Sequence, residues 1–319
     1  MKKFLYIVLV NIAVFTGLLI FLELLIRLFF PQIQIPGTDR NLFIDSVYYD
    51  SAGLLPNAKG SSYGIPLQVD NNGFWKFSKK AGNGKRILYI GDSITMGIGV
   101  ESDSTFAGII NDEENVPVLN SAMIGYSSKD YLNIVKKVIV EDSNKLNITG
   151  VSLFWCLNDV YDYYPYDTTP EFKPDGILGG ALTFFKKNFK LFYFIKNSFT
   201  DRQESYYLYD EKFYRAENEF FRNSLENLVK IAGILEKRNI PFEIFLFPYE
   251  YQLRGNEKEQ VNPQELLADS LSNYDISVHN LTSSFKSVTV PGDLYLYGDG
   301  IHFSNSGHRV AAEYIKSTH

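Results

Sequence analysis

Four short, nearly continuous apolar runs stand out along the chain: Ile87 to Ile90, Val116 to Leu119, Val151 to Trp155 and Phe242 to Phe247. Runs of this length bounded by polar or turn residues read as strands buried on both faces. Between them, Ser104 to Asn111, Lys129 to Val140 and the long stretch Ala216 to Asn239 read as helices, the last two amphipathic, and His308 to Ile315 opens another. Short buried strands alternating with helices predict an α/β fold with a parallel sheet covered on both faces. In such sheets ligands lie at the carboxyl ends of the strands.

The N-terminus follows a different pattern. After Lys2 and Lys3, Phe4 to Leu22 is apolar apart from Asn11, Thr16 and Gly17, and Leu24 to Phe30 extends it past Glu23 and Arg27. About 20 apolar residues span a bilayer, whereas the core of a cleaved signal is roughly 7–15. No small-residue cleavage site follows, the next residues being Pro31-Gln32-Ile33-Gln34-Ile35-Pro36. Residues 1–30 are therefore expected to be a transmembrane helix, though a core helix or a cleaved signal shares much of this pattern. The two lysines before the span place its N-terminus in the cytoplasm and the rest outside the cell membrane. Glu23 and Arg27, four apart, can pair on one helix face.

Residues 31–84 read as a linker and accessory β segment, with turns at Pro56–Gly60 and Asp70–Gly73 and strands at Tyr63–Val69 and Gly73–Trp75. Gly60-Ser61-Ser62-Tyr63-Gly64 fits the Gly-x-Ser-x-Gly elbow pattern. That motif needs a buried strand before it and a helix after it, and Pro56 and Pro66 flank it instead. Gly82-Asn83-Gly84-Lys85 lacks the spacing of a phosphate loop. The main domain is then 85–319, with an insertion at about 160–213. Within that insertion, a tyrosine cluster at Tyr161–Tyr166 suits sugar stacking or an ordinary loop, and Phe184–Phe199 reads as a basic, aromatic-rich helix suited to a lipid surface or to simple packing on the core.

Composition narrows the partners. The chain is 45% hydrophobic and 15% aromatic with a formal net charge of −6, and it lacks a long basic run, which argues against nucleic acid. The single cysteine, Cys156, excludes an internal disulfide framework. Asn147-Ile148-Thr149 and Asn280-Leu281-Thr282 match a glycosylation pattern that chance supplies often. Asp299, His302 and His308 lack the further ligands of a metal site, so no metal or cofactor is expected.

The chemistry centres on Gly91-Asp92-Ser93, where the first apolar run ends. A serine at a strand-to-helix corner can attack a carbonyl with free backbone N–H groups nearby, although Asp and Ser also serve there as plain helix caps. Three further segments follow: Asn120-Ser121-Ala122-Met123-Ile124-Gly125, Trp155-Cys156-Leu157-Asn158-Asp159 and Asp299-Gly300-Ile301-His302. Together, and in this order, the four segments resemble the blocks of the SGNH (GDSL-type) hydrolase family over roughly Lys85 to Ile315. The resemblance implies a three-layer α/β/α sandwich with a mostly parallel, flavodoxin-like sheet. It also implies Ser93 as nucleophile, with the Ser93 and Gly125 N–H groups and the Asn158 side chain as oxyanion donors. His302 would be the base, oriented by Asp299. One departure is Cys156, where the family usually has glycine.

The histidines support the same assignment independently. A serine needs a base, and the base needs a third group to fix its tautomer. His319 is terminal, His279 lies in the alternating strand-like Ile276–Leu281, and His308 opens a helix. His302 alone has a carboxylate three residues earlier, across a glycine. The expected function is a membrane-anchored, exported serine esterase acting on an O-acyl, chiefly O-acetyl, ester of a cell-envelope glycan or lipid. The alternative is an O-acyltransferase using the same serine, with a membrane acyl-donor partner. A third reading is a non-catalytic binding protein on the same fold.

Overall fold

The computed structural model of the chain describes residues 2–79, 85–142, 146–162, 176–255, 262–274, 276–288 and 290–318. The chain divides into two compact units: Met1–Gly37 with Thr168–Asp201, and Thr38–Asp167 with Arg202–His319.

In the smaller unit, α1 (Lys2–Phe29) is one continuous helix, and its apolar side chains from Phe4 to Phe29 are largely exposed. It is the one helix among the described residues long and apolar enough to cross a membrane. The helix expected over Phe184–Phe199 is two: α5 (Gly176–Asn188) and α6 (Lys190–Phe199), separated by Phe189 in an extended conformation. The break has a physical cause that lies far away in sequence. The Glu23 carboxylate of α1 accepts the Lys190 and Leu191 N–H groups at 3.1 and 2.9 Å and so caps α6. Glu23 also takes the Arg27 guanidinium at 2.7 Å, and Arg27 donates to the Asn188 carbonyl.

The larger unit opens with two antiparallel hairpins, β1 (Phe43–Tyr48) with β2 (Ser51–Leu54) and β3 (Lys59–Ser62) with β4 (Ile65–Gln68). Tyr63 and Gly64 form the second hairpin's two-residue turn, with φ of +52° and +80°, as a type I′ connection requires. Gly60–Gly64 is thus hairpin rather than elbow. The strand expected from Tyr63 starts instead at Ile65, because the turn consumes the first two positions. Around Gly73–Trp75 there is a turn and a single bridge from Trp75 to Val69 rather than a strand.

Five parallel strands form the sheet: β5 (Arg86–Gly91), β6 (Val118–Asn120), β7 (Ile148–Trp155), β8 (Phe242–Leu246) and β9 (Ser277–Asn280). Their order is β6-β5-β7-β8-β9. In chain order this is 2-1-3-4-5, the flavodoxin-like arrangement. After β5 come the short α2 (Ser93–Met96) and α3 (Phe106–Glu113). The latter is capped by Thr105, whose hydroxyl accepts the Gly108 N–H. The next helix, α4 (Ser128–Val135), runs on into a π turn at Lys136–Glu141. From Arg202 onward the helices are α7 (Arg202–Asp210), α8 (Glu219–Glu236), α9 (Glu250–Leu253), α10 (Pro263–Leu271), α11 (Thr282–Lys286) and α12 (Asn305–Ser317). Packing pairs α3 with α12 and α12 with α11, while α4 packs on α8 and α8 on α10. These are the two helical layers that right-handed crossovers create on opposite faces of such a sheet. His308 falls one turn inside α12, because the Ser304 hydroxyl caps that helix earlier than the apolar pattern suggests.

The main core joins both sheet faces. A second, smaller core gathers Leu42, Leu54, Leu67, Val69 and Trp75 from the hairpin region with Met96, Ile98 and Ala122. The residues just after Ser93 therefore pack on the accessory segment. The Trp75 indole N–H donates to the Ala122 carbonyl at 2.7 Å.

Candidate active site

Ser93 is the first residue of α2, at the carboxyl end of β5, which lies between β6 and β7 in the sheet. Two glycines allow this turn. A Cβ on Gly91 would lie 2.2 Å from Thr95 Oγ1 and 3.0 Å from the Phe154 carbonyl; one on Gly97, where φ is +83°, would lie 2.2 Å from Thr105 Cγ2. Asp92 caps α2 by accepting the Ile94 N–H at 2.9 Å, and its second oxygen lies 3.0 Å from the Ser93 hydroxyl. Burial raises the Asp92 carboxyl above its usual range, against the Ile94 N–H bond and the nearby His302 charge. Asp92 is thus a helix cap, and it holds Ser93 at the strand-to-helix corner.

His302 and Asp299 arrive from the loop before α12. A bridge between Tyr295 and Phe303 pinches this loop, and the Asp299 carboxylate turns it by accepting the Ile301 and His302 N–H groups at 3.0 and 2.8 Å. The same carboxylate lies 2.9 and 3.0 Å from His302 Nδ1, and His302 Nε2 lies 2.9 Å from Ser93 Oγ. With Nδ1–H donating to Asp299, the Nε2 lone pair faces the serine. Burial by itself would lower the histidine, but the Asp299 charge and hydrogen bond outweigh it and leave His302 raised above 6.5. Asp299 moves the other way: burial pushes it up, and the His302 charge and hydrogen bonds bring it below its usual value.

The other two expected site residues follow the strands flanking β5. Gly125 lies beyond β6 in an exposed turn closed by a bond from Tyr126 N–H to the Met123 carbonyl, and its φ of +79° suits the third position of a type II turn. Asn158 lies beyond β7 in the 3₁₀ turn Leu157–Val160. Ser93, Gly125 and Asn158 thus share the carboxyl edge of three neighbouring strands. Cys156 adopts φ −102°, ψ 154°, an extended conformation that needs no glycine. Its thiol is buried, and burial holds it protonated.

Behind Asn158 lies a polar network that the sequence did not reveal. The Tyr249 hydroxyl is 2.6 Å from Asp210 Oδ2 and 3.5 Å from Asn158 Oδ1, and the Tyr161 hydroxyl donates to Asp210 Oδ1 at 2.8 Å. Asn158 thus meets Tyr249 through its amide oxygen. Burial pushes the Asp210 carboxyl up to about 6, against these two hydroxyl donors. Tyr249 follows the β8 run closely enough to be found by its position at the carboxyl edge of a strand. Asp210 carries no such signal. Tyr63, at the β3–β4 tip, sits beside the base with its ring 6.4 Å from the imidazole.

The remaining histidines are otherwise occupied. His308 accepts the Phe106 N–H at its Nδ1 and is pushed by burial to about 3, so it stays neutral, while His279 stacks on Phe245. His319, and Tyr163, Tyr164 and Tyr166 of the tyrosine cluster, lie outside the described residues, as do Gly82–Gly84. Among the described residues no group of three His, Cys, Asp or Glu is placed to hold a metal ion.

No family model and no curated protein matches the chain. Among solved structures, it is similar to a protein from Desulfitobacterium hafniense described as of the G-D-S-L lipolytic family, at 12% identity and TM-score 0.44 over 74% of this chain and all of that one. An acetyl xylan esterase matches at 14% and 0.43, over 73% of this chain and 98% of its own. An acetylxylan esterase from Geobacillus stearothermophilus matches at 16% and 0.42, over 75% and 95%. Several others carry lipase or acylhydrolase names.

Proposed function

We propose that this chain is an exported serine esterase of SGNH type, held to the membrane by α1 and hydrolysing an O-acyl, chiefly O-acetyl, ester of an envelope glycan or lipid. The observation that carries this reading is the unbroken chain of contacts Ser93 Oγ, His302 Nε2, His302 Nδ1 and Asp299, each link 3.0 Å or less. Along it, His302 takes the serine proton as Oγ bonds to the ester carbonyl carbon, and Asp299 stabilises the imidazolium. The oxyanion meets donors at the strand ends, for which the Ser93 and Gly125 N–H groups and the Asn158 amide are the candidates. His302 then protonates the departing alcohol. In the second half-reaction it removes a proton from water, which attacks the acyl-enzyme and releases acid.

The membrane part of the proposal rests on the length and exposure of α1, and its orientation on Lys2 and Lys3. A substrate within reach of the membrane face follows from that tether. The test is to incubate the full-length protein with acyl esters, with and without sugar acceptors, measuring free acid and acylated sugar alongside a Ser93→Ala control. Serine-dependent acid release in water alone is the expected result. Negligible acid with abundant acylated sugar would replace the hydrolase by an acyltransferase. No turnover of either kind would leave a binding protein.

A further inference from the structure

The smaller unit has features that the chemistry above does not use. Gly176 to Thr200 contains four lysines, seven aromatic residues and no acidic residue, in a chain whose net charge is −6. Phe184, Ile195 and Phe199 expose 57%, 49% and 85% of their surface. Exposed aromatics beside lysines are the composition of a helix that lies in a lipid interface.

What covers this surface is set by where it is fastened. Glu23 caps α6 through the Lys190 and Leu191 N–H groups, Arg27 donates to Asn188 O, Lys190 Nζ donates to the Pro31 carbonyl, and the Phe30 and Phe194 rings lie 5.0 Å apart. All these attachments fall on the last turns of α1 or just beyond it. Glu23 is six residues before the end of a 28-residue helix, or about 9 Å at the α-helical rise. If α1 spans, the α5–α6 junction is therefore fixed at the outer boundary of the hydrocarbon layer. A buried Glu23 in this zone is satisfied by two backbone N–H groups and a guanidinium, as a carboxylate leaving water requires.

From this placement we infer that α5 and α6 form an interfacial helical hairpin that lies on the outer leaflet, with its aromatics among the upper acyl chains and its lysines on anionic headgroups. The inference rests on the membrane reading of α1, and the experiment separates the two. Single cysteines at Leu18, Ile195 and Phe199 are labelled with an environment-sensitive fluorophore in the full-length protein, with Cys156→Ser in the background. The labelled protein is placed in nanodiscs of zwitterionic or of 30% anionic lipid, where nitroxides sit either near the headgroup or deep in the chains. The label at Leu18 should be quenched best by the deep nitroxide; if it is not, the span fails. The labels at Ile195 and Phe199 should be blue-shifted and quenched best by the shallow one. Emission and quenching matching the free water-soluble dye adduct, with Leu18 still deep, would overturn the hairpin alone. Replacing Lys186, Lys187 and Lys196 by glutamine, with Lys190 and its bond to Pro31 kept, should reduce shallow quenching at Phe199 at least twofold in anionic discs and leave zwitterionic discs unchanged. An equal effect in both would overturn the headgroup contact.

Discussion

The reactive atoms carry the sharpest expectations. Ser93→Ala and His302→Ala should each reduce ester turnover by several orders of magnitude, and the double variant should lose little more, because such groups act as a unit. Asn158→Ala should lower kcat by about 10²–10³, as for one oxyanion donor; unchanged kinetics would remove Asn158 from the site. The base must be neutral to accept the serine proton, and its raised affinity for a proton extends the inactive, protonated form upward in pH. The acid limb of a kcat/KM profile should therefore have its midpoint above 6.5, the unperturbed histidine value. Asp299→Asn should move that midpoint down while lowering the rate by about 10⁴, a pair of changes that a purely structural lesion would not produce.

At the scale of elements, the proposed site lies on the strand ends, with Tyr249 and Asp210 behind Asn158. Tyr249→Phe should lower kcat less than Asn158→Ala does, with KM little changed, because it removes the hydroxyl facing Asn158 rather than the donor itself. Asp210 gives a separate, thermodynamic test. Its folded pKa of about 6 lies above the ordinary carboxylate value of 3.8, so the favourable protonated state is held at low pH and stability is lost as pH rises from about 4 through 6. The distance between those two values corresponds to about 3 kcal/mol. Against Asp210→Asn, which does not titrate, the wild type should become less stable by up to about that amount between pH 4 and 7; parallel melting curves at all pH values would refute the assignment.

Sequence and structure agree unevenly at this scale, for physical reasons. β5, β7 and β8 are legible because strands buried on both faces read as nearly continuous apolar runs. The turn at Ser93 is legible because glycine and a capping pair are required there. The split at Phe189 is not, since its cause is the Glu23 carboxylate more than 160 positions away. Asp210 escapes a reading of the chain for a related reason: an aspartate meeting its partners inside the fold looks like any other in the sequence. Gly91→Ala should be harsh, costing about 1–3 kcal/mol through overpacking against Thr95 and the Phe154 carbonyl.

For the whole molecule, protease or an impermeant label applied to intact cells after opening only the outer barrier should reach the larger unit, and the mature chain should keep Phe4 to Phe30. Protection of that unit, or a mature N-terminus near Pro31, would overturn the topology. The contact between Ser93 and His302 closes a loop of 209 positions, and this gives the protein a timetable. At ~5–20 residues per second of synthesis, the serine waits roughly 10–40 s for its base to be made. Throughout that interval the growing chain would have, on the proposed assignment, a nucleophile but no means of activating it. On the proposed assignment, acyl groups it meets are safe until Asp299 and His302 have been made, and a chain that stops before Asp299 stays harmless.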